Sequence, residues 1–222
     1  MSHSDLVALA WVPLTAYLLG AIPFGLAITK LSGGGGDVRS MGSGNIGAAN
    51  VTRAAGLAAG VLTLLLDAGK GYFAVWLPAH FIRDSLPVSL LHPSHRIEWM
   101  MAAALATILG HMFPVWLSFR GGKGVATAAG AFLMISPFAV LGAVIVFVAV
   151  VGFWRYVSLG SMAAAAALPP LMYLLYEPHF APPHAVSFGV SLAAMLIIFR
   201  HRGNIERLLS GTEPPLTLRR RP

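Results

Sequence analysis

Residues 125–154 read VATAAGAFLMISPFAVLGAVIVFVAVVGFW, without one charged side chain. About 20 apolar residues suffice to cross the hydrocarbon core of a bilayer, so this run carries a membrane signal. It is too long for one ordinary span, and Ser136-Pro137 interrupts it. Proline removes a helical hydrogen bond and restricts the residue before it. The run therefore splits into a short helix over 125–135 and a longer one over 137–154. A break at membrane depth has to be buried in protein or line a water-filled cavity.

Working outward, further apolar segments cover 6–29, 54–81, 98–119, 158–176 and 184–199. Of 222 residues, 57% are hydrophobic and 10% charged, and the mean hydropathy is +0.75. A soluble domain sits near half apolar and a quarter charged. The expected fold is an all-α polytopic membrane protein with seven transmembrane or partly embedded helices. Residues 1–222 are expected to form a single membrane domain. The N-terminus, Met1 to Asp5, has no basic stretch, and the apolar run after it is too long for a signal core. It reads as a retained first helix.

Charge sets the orientation. With the N-terminus outside, Lys30, Arg39, Arg53, Arg120, Lys123, Arg155, Arg200, Arg202, Arg207, Arg219, Arg220 and Arg221 are all cytoplasmic. Arg83 and Arg96 fall outside, and Lys70 lies within a helix. The positive-inside rule favours this arrangement and places the C-terminus in the cytoplasm. The net charge of +7 is thus a topology signal, not a nucleic-acid footprint. The chain has no cysteine, which excludes thiolate nucleophiles, protein thioesters, iron–sulfur clusters and disulfides.

Three polar, glycine-rich clusters then land on one face. The first is Gly42-Ser43-Gly44-Asn45-Ile46-Gly47-Ala48-Ala49-Asn50-Val51-Thr52-Arg53. Its G-S-G-N-I-G spelling matches a dinucleotide fingerprint, but that motif needs a βαβ unit and the flanks here are apolar helices. What survives is a loop whose N–H groups and arginine suit an anion, leading into a helix near Ala54. A glycine-rich turn with a snorkelling arginine is the plain alternative. Asn50-Val51-Thr52 also spells a glycosylation sequon, on the wrong side to be used.

The second cluster is Arg120-Gly121-Gly122-Lys123-Gly124-Val125-Ala126-Thr127. It lacks the spacing of a Walker A loop. Glycines around a lysine at a helix start still suit a phosphate. Positive-inside flanking explains the lysine but not the glycines. The third is Arg200-His201-Arg202-Gly203-Asn204-Ile205-Glu206-Arg207-Leu208, where His201, Asn204 and Arg207 or Leu208 share a helical face. A basic tail against anionic lipid is the alternative there. Ser158, after Arg155-Tyr156-Val157, lies between two helices on the same side. Asp67 and Lys70, at i and i+3 inside a helix, are either a structural ion pair or functional. His111 reads as a packed ring. No carboxylate cluster suits Mg²⁺, no His/Cys set suits Zn²⁺, and there is no G-x-S-x-G elbow or His-x-x-x-x-Asp pair.

Together these clusters resemble the three signature motifs of the bacterial acyl-phosphate:glycerol-3-phosphate 1-acyltransferases. Supporting stretches are Tyr17-Leu-Leu-Gly-Ala-Ile-Pro-Phe-Gly25, Leu65-Leu-Asp-Ala-Gly-Lys-Gly71, Gly110-His-Met-Phe-Pro114 and Tyr156-Val-Ser158. The resemblance covers nearly the whole chain in order. Ala49 departs from the threonine usual in the family, and 33–36 and 83–97 look idiosyncratic.

The resemblance implies a seven-helix enzyme of the bacterial inner membrane with its site facing the cytoplasm. Its substrates would be acyl phosphate and glycerol 3-phosphate, its products lysophosphatidic acid and phosphate, and its setting membrane lipid. It implies no cofactor, metal or nucleic acid. By motif position the catalytic residues are Ser43, Asn45, Lys123, Ser158 and His201. The substrate-binding residues are Gly44, Arg53, Gly121, Gly122, Gly124, Asn204 and Arg207. The expected division has Lys123 and the 121–124 amides on the donor phosphate, and Arg53, His201 and Asn204 on glycerol 3-phosphate. The competing classes are a small organic-phosphate transporter and a structural lipid-binding subunit.

Overall fold

The computed structural model describes residues 3–32, 37–81, 96–176 and 182–216. Among them every regular element is helical: α1 (His3–Gly20), α2 (Phe24–Leu31), α3 (Ala48–Ala55), α4 (Leu57–Phe81), α5 (Arg96–Met112), α6 (Val125–Leu133), α7 (Pro137–Trp154), α8 (Val157–Leu175), α9 (His184–Arg200) and α10 (Arg202–Leu209). Five stretches are long and apolar enough to cross a membrane: Ala10–Leu31, Leu57–His80, Arg96–Leu117, Pro137–Trp154 and Val157–Leu175. α9 and α10 make a sixth if taken together across a 54° bend. α6 has nine residues, as its break at Ser136-Pro137 requires. The expected hinge at 33–36, most of the segments 83–97 and 177–183, Arg83 and Arg219 to Arg221 lie outside the described residues.

The chain forms two compact units, Met1–Ile135 and Ser136–Pro222, which meet in sequence at that same break. In the first, two helix crossings bring backbone against backbone. A Cβ on Gly20 of α1 would collide with the Thr107 backbone of α5, and one on Gly110 of α5 with the Tyr17 backbone of α1. α4 and α6 repeat the device: Gly71 faces the Thr127 backbone and Gly130 the Ala68 backbone. Small residues at both sides of a crossing are the membrane solution to packing, since lipid supplies no hydrophobic drive between helices. Ala16, Ala74, Val75, Ala79, Met100, Ala103, Ala104 and Ala131 complete this interior. Phe132, Ile108 and Met112 are also buried in this unit, while other large apolar side chains lie outward, with Leu65 63% and Phe73 59% exposed.

Two details depart from the sequence reading. The segment expected as one helix over 6–29 is broken after Gly20, because Pro23 cannot donate and its ring crowds the preceding turn. The break frees the Ile22 carbonyl, which accepts from Lys70 Nζ at 2.8 Å. The loop of the first motif does not lead into α4. It enters the separate helix α3, which Gly56 at φ +89° divides from α4.

In the second unit α7 and α8 form a hairpin whose corner is Arg155 in the left-handed region, its N–H donating to Val151 O. α9 packs on α8, and His201 marks the bend into α10.

Candidate active site

The first motif is organised by a residue that motif reading did not assign. Asn50, on α3 and 2% exposed, turns its amide into the loop before it. Its Oδ1 accepts the Ser43 N–H at 3.1 Å. Its Nδ2 donates to the carbonyls of Val38, Met41 and Asn45 at 2.9, 3.0 and 2.8 Å. Ile46 plugs the loop into an apolar cluster with Leu26, Val38, Val51 and Leu117. Fixed at both ends, the loop leaves Ser43 and Gly44 exposed. The exposed Arg53, in the last turn of α3, runs past Gly42: its Cδ would lie 3.9 Å from a Cβ there. Asn45 Oδ1 accepts the Gly47 N–H at 2.8 Å, so this oxygen shapes the turn. Asn50 was legible in principle, because an asparagine inside a short helix is there for its amide and not for helix propensity.

The second motif corrects an expectation. The Gly121 and Gly122 N–H groups, expected to face a phosphate, point into the protein instead. They are spent on the carbonyls of Met112 and His111, at 3.1 and 3.0 Å. What these glycines provide is closeness: a Cβ on Gly121 would strike the His111 carbonyl, and one on Gly122 the His111 ring. Gly124, at φ +80°, then starts α6, whose first-turn N–H groups follow Lys123. Behind the turn lie Asp67 and Lys70, joined at 2.8 Å, with His111 Nδ1 3.6 Å from Asp67.

In the second unit, Ser158, Asn204 and Arg207 converge on a carboxylate that sequence reasoning missed. Ser158 Oγ donates to Glu213 Oε1 at 2.5 Å, Asn204 Nδ2 to the same oxygen at 2.6 Å, and Arg207 Nε to Oε2 at 2.7 Å. Burial pushes the Glu213 carboxyl up, but these three donors and the guanidinium charge outweigh it and hold it below the usual glutamate range. With only eight acidic residues in the chain, the scarcity of carboxylates was the available signal. The Ser158 proton is committed to Glu213, so toward any further partner Ser158 presents lone pairs.

His201, 2% exposed, is held by its own helix. Its Nδ1 donates to Ile197 O at 2.8 Å, which fixes the proton on Nδ1 and leaves Nε2 as the basic nitrogen of the neutral ring. Among the described residues no three His, Asp or Glu side chains gather as a metal site.

Loops of glycine and cations at helix starts suit anions, and comparisons with known proteins show the family. The family model described as glycerol-3-phosphate acyltransferase matches residues 10–211. The chain belongs to the glycerol-3-phosphate acyltransferase family. A glycerol-3-phosphate acyltransferase of Syntrophotalea carbinolica is 47% identical over 90% of this chain and 93% of its own. One of Geobacillus kaustophilus is 44% identical over 92% and 94%. Two crystal structures of PlsY, an integral membrane glycerol 3-phosphate acyltransferase, share the fold of this family member. The glycerol 3-phosphate form has a TM-score of 0.80 at 39% identity, and the lysophosphatidic acid form 0.78 at 38%. Each covers 93% of this chain and 94% of the PlsY chain. The family thus consists of membrane acyltransferases, which fits the apolar helices described above and removes a transporter or a lipid-binding subunit from consideration.

Proposed function

We propose that this protein transfers a fatty acyl group from acyl phosphate to the 1-hydroxyl of glycerol 3-phosphate. The products are lysophosphatidic acid and phosphate, and the step opens bacterial phospholipid synthesis. The observation that carries the reading is the likeness to PlsY along nearly the whole chain, in a glycerol 3-phosphate form and a lysophosphatidic acid form. The donor is inferred from chemistry. Acyl phosphate is a mixed anhydride that carries its own leaving group, so a chain without cysteine needs no acyl-enzyme.

The hydroxyl oxygen attacks the acyl carbon, the new ester C–O bond forms, and the bond to phosphate breaks with its electron pair leaving on phosphate. The protein's part is positioning and charge stabilisation. Lys123, with Gly124 and the α6 N-terminus it precedes, takes the donor phosphate. Gly121 and Gly122 shape that turn. Arg53 takes the phosphate of glycerol 3-phosphate, with Ser43, Gly44 and Asn45 as the loop beside it. Ser158, His201, Asn204 and Arg207 are the polar groups of the second unit, three of them held by Glu213. The hydroxyl proton goes to the departing phosphate, with His201 as the other candidate base. A His201→Gln variant with near-normal kcat and an unchanged pH profile assigns it to phosphate.

The site faces the cytoplasm of a bacterial inner membrane, with seven embedded helices counting α6 and an outside N-terminus. The cation asymmetry supports this orientation. The test is purified protein with acyl phosphate and labelled glycerol 3-phosphate, without CoA or added metal. Labelled lysophosphatidic acid is the expected product, and its absence sinks the proposal.

A further inference from the structure

The mechanism above makes no use of Asp67, Lys70 or His111, although all three are buried among apolar helices. Ionisable groups at such depth are costly and rarely idle. Lys70 Nζ is satisfied by Asp67 Oδ1 and by the Ile22 carbonyl, each at 2.8 Å, with the Phe24 ring 5.6 Å away. Charge neutralisation therefore needs only Asp67 and Lys70. His111 is the unexplained member, and it looks two ways. Its Nδ1 lies 3.6 Å from Asp67 Oδ1. Its Nε2 edge lies against Gly122, where a Cβ would land on that nitrogen.

The main chain repeats the contact. The His111 carbonyl accepts the Gly122 N–H, the Met112 carbonyl accepts the Gly121 N–H, and Gly121 lies flush on the His111 carbonyl. The turn after α5 is itself held, because Tyr17 Oη donates to Phe113 O at 2.7 Å. One turn along α4 from Asp67, Gly71 meets the Thr127 backbone in the first turn of α6. One face of α4 thus backs both ends of the segment bearing Lys123, through His111 at Gly122 and directly at Thr127.

We propose that Asp67 and His111 are positioning residues for the Gly121–Lys123 turn. The carboxylate sets the imidazole, and the imidazole sets the height at which Gly122 delivers Lys123 to its phosphate. Gly122 lacks a Cβ so that this ring can touch its backbone. A merely structural Asp67–Lys70 pair would need neither the ring nor the glycine against it. The inference rests on the acyltransferase reading.

The test is steady-state kinetics on purified enzyme, with each substrate varied in turn. Wild-type enzyme that makes no product overturns the acyltransferase reading and this inference with it. An active wild type leaves only the inference at stake. Gly122→Ala is expected to raise KM for one phosphate substrate by about tenfold or more, because displacements near an ångström carry such penalties, and to move the other KM by less than about twofold. His111→Gln and Asp67→Asn raise that same KM. The Gly122→Ala/His111→Gln double variant is no worse than the more damaged single variant, because both act on one contact. Asp67→Asn strands a buried cation, so Asp67→Asn/Lys70→Met, which removes both charges, is the second variant. If Gly122→Ala yields no folded enzyme, the KM split in His111→Gln and the charge-free variant decides alone. Wild-type KM values in those two, with only a lowered melting temperature, overturn the proposal. So do penalties that multiply in the Gly122→Ala/His111→Gln variant.

Discussion

Replacing Asn50 by aspartate changes one NH₂ into one oxygen and little else in shape. Asn50 Nδ2 carries two protons and serves three carbonyls, at 2.9, 3.0 and 2.8 Å. The introduced carboxylate has no donor when ionised and points negative charge at all three oxygens. Two hydrogen bonds vanish outright. Leaving a buried acceptor unpaired costs about 1–3 kcal/mol, so the pair costs about 2–6 kcal/mol. Two of the three contacts are only part-buried, and water can reach them, which confines the figure to about 2–4 kcal/mol. At 1.4 kcal/mol per factor of ten, the ordered loop becomes scarcer by roughly 30- to 700-fold. The Ser43 N–H bond to the side-chain oxygen survives, so the chain should still fold. Two measurements check this: kcat/KM with acyl phosphate and glycerol 3-phosphate, and amide hydrogen exchange of residues 41–47 in detergent. The expectation is a fall in kcat/KM of about 30-fold or more with faster exchange confined to the loop. An Asn50→Asp enzyme within about threefold of wild type, with unchanged exchange, would show that the fan of bonds does not order this loop.

Three further outcomes follow from the same structure. Arg53→Ala removes one charge-assisted phosphate contact of about 1.5–3 kcal/mol, so the apparent affinity for glycerol 3-phosphate should fall about 10- to 100-fold; an unchanged KM and rate would withdraw Arg53 from that role. Glu213 is held below its usual value of 4.5, so its stabilisation is complete above that pH and is lost as pH falls through the lowered folded value. Thermal melts from neutral to acidic pH should show wild type weakening below the usual glutamate range, with Glu213→Gln already weaker at pH 7 and flat across the same interval. Gly130→Val, placed against the Ala68 backbone, should cost about 3 kcal/mol and yield little folded protein, whereas Ile145→Val on an exposed apolar face should be silent in expression and melting.

Much of this architecture was readable because it is written locally. Charge-free runs announce helices in lipid, Ser136-Pro137 announces the break, and the three glycine-rich clusters announce themselves by being polar between apolar helices. What escaped reading depends on chain that returns from far away. Glu213 gains meaning only when residues 212–216 come back to the α7–α8 corner, where Leu216 N–H donates to Arg155 O at 2.6 Å. Lys70 reaches Ile22 only because the helix breaks after Gly20, and that break looks, in composition, like continuous apolar chain. The helix α3 was hidden because it is only eight residues long and its Ala54-Ala55 end runs on in composition into α4, so the spelling does not mark the division at Gly56. The backbone contacts of Gly121 and Gly122 escaped reading for a related reason. Glycine-rich spelling does not distinguish an amide offered to a ligand from a backbone pressed against a neighbour.

The reciprocal glycines at 20 and 110, and at 71 and 130, also govern how this sequence can drift. Where side chains fill an interface, a change on one helix can be absorbed by another rotamer across the gap. Here the neighbouring surface is peptide backbone, which has no alternative shape to adopt. Random substitution at these four positions, selected for folded protein, should therefore return glycine alone, while Ile145 or Phe188 should return almost any apolar residue. The protein has its least mutational freedom deep among its helices, at residues with no side chain to lose.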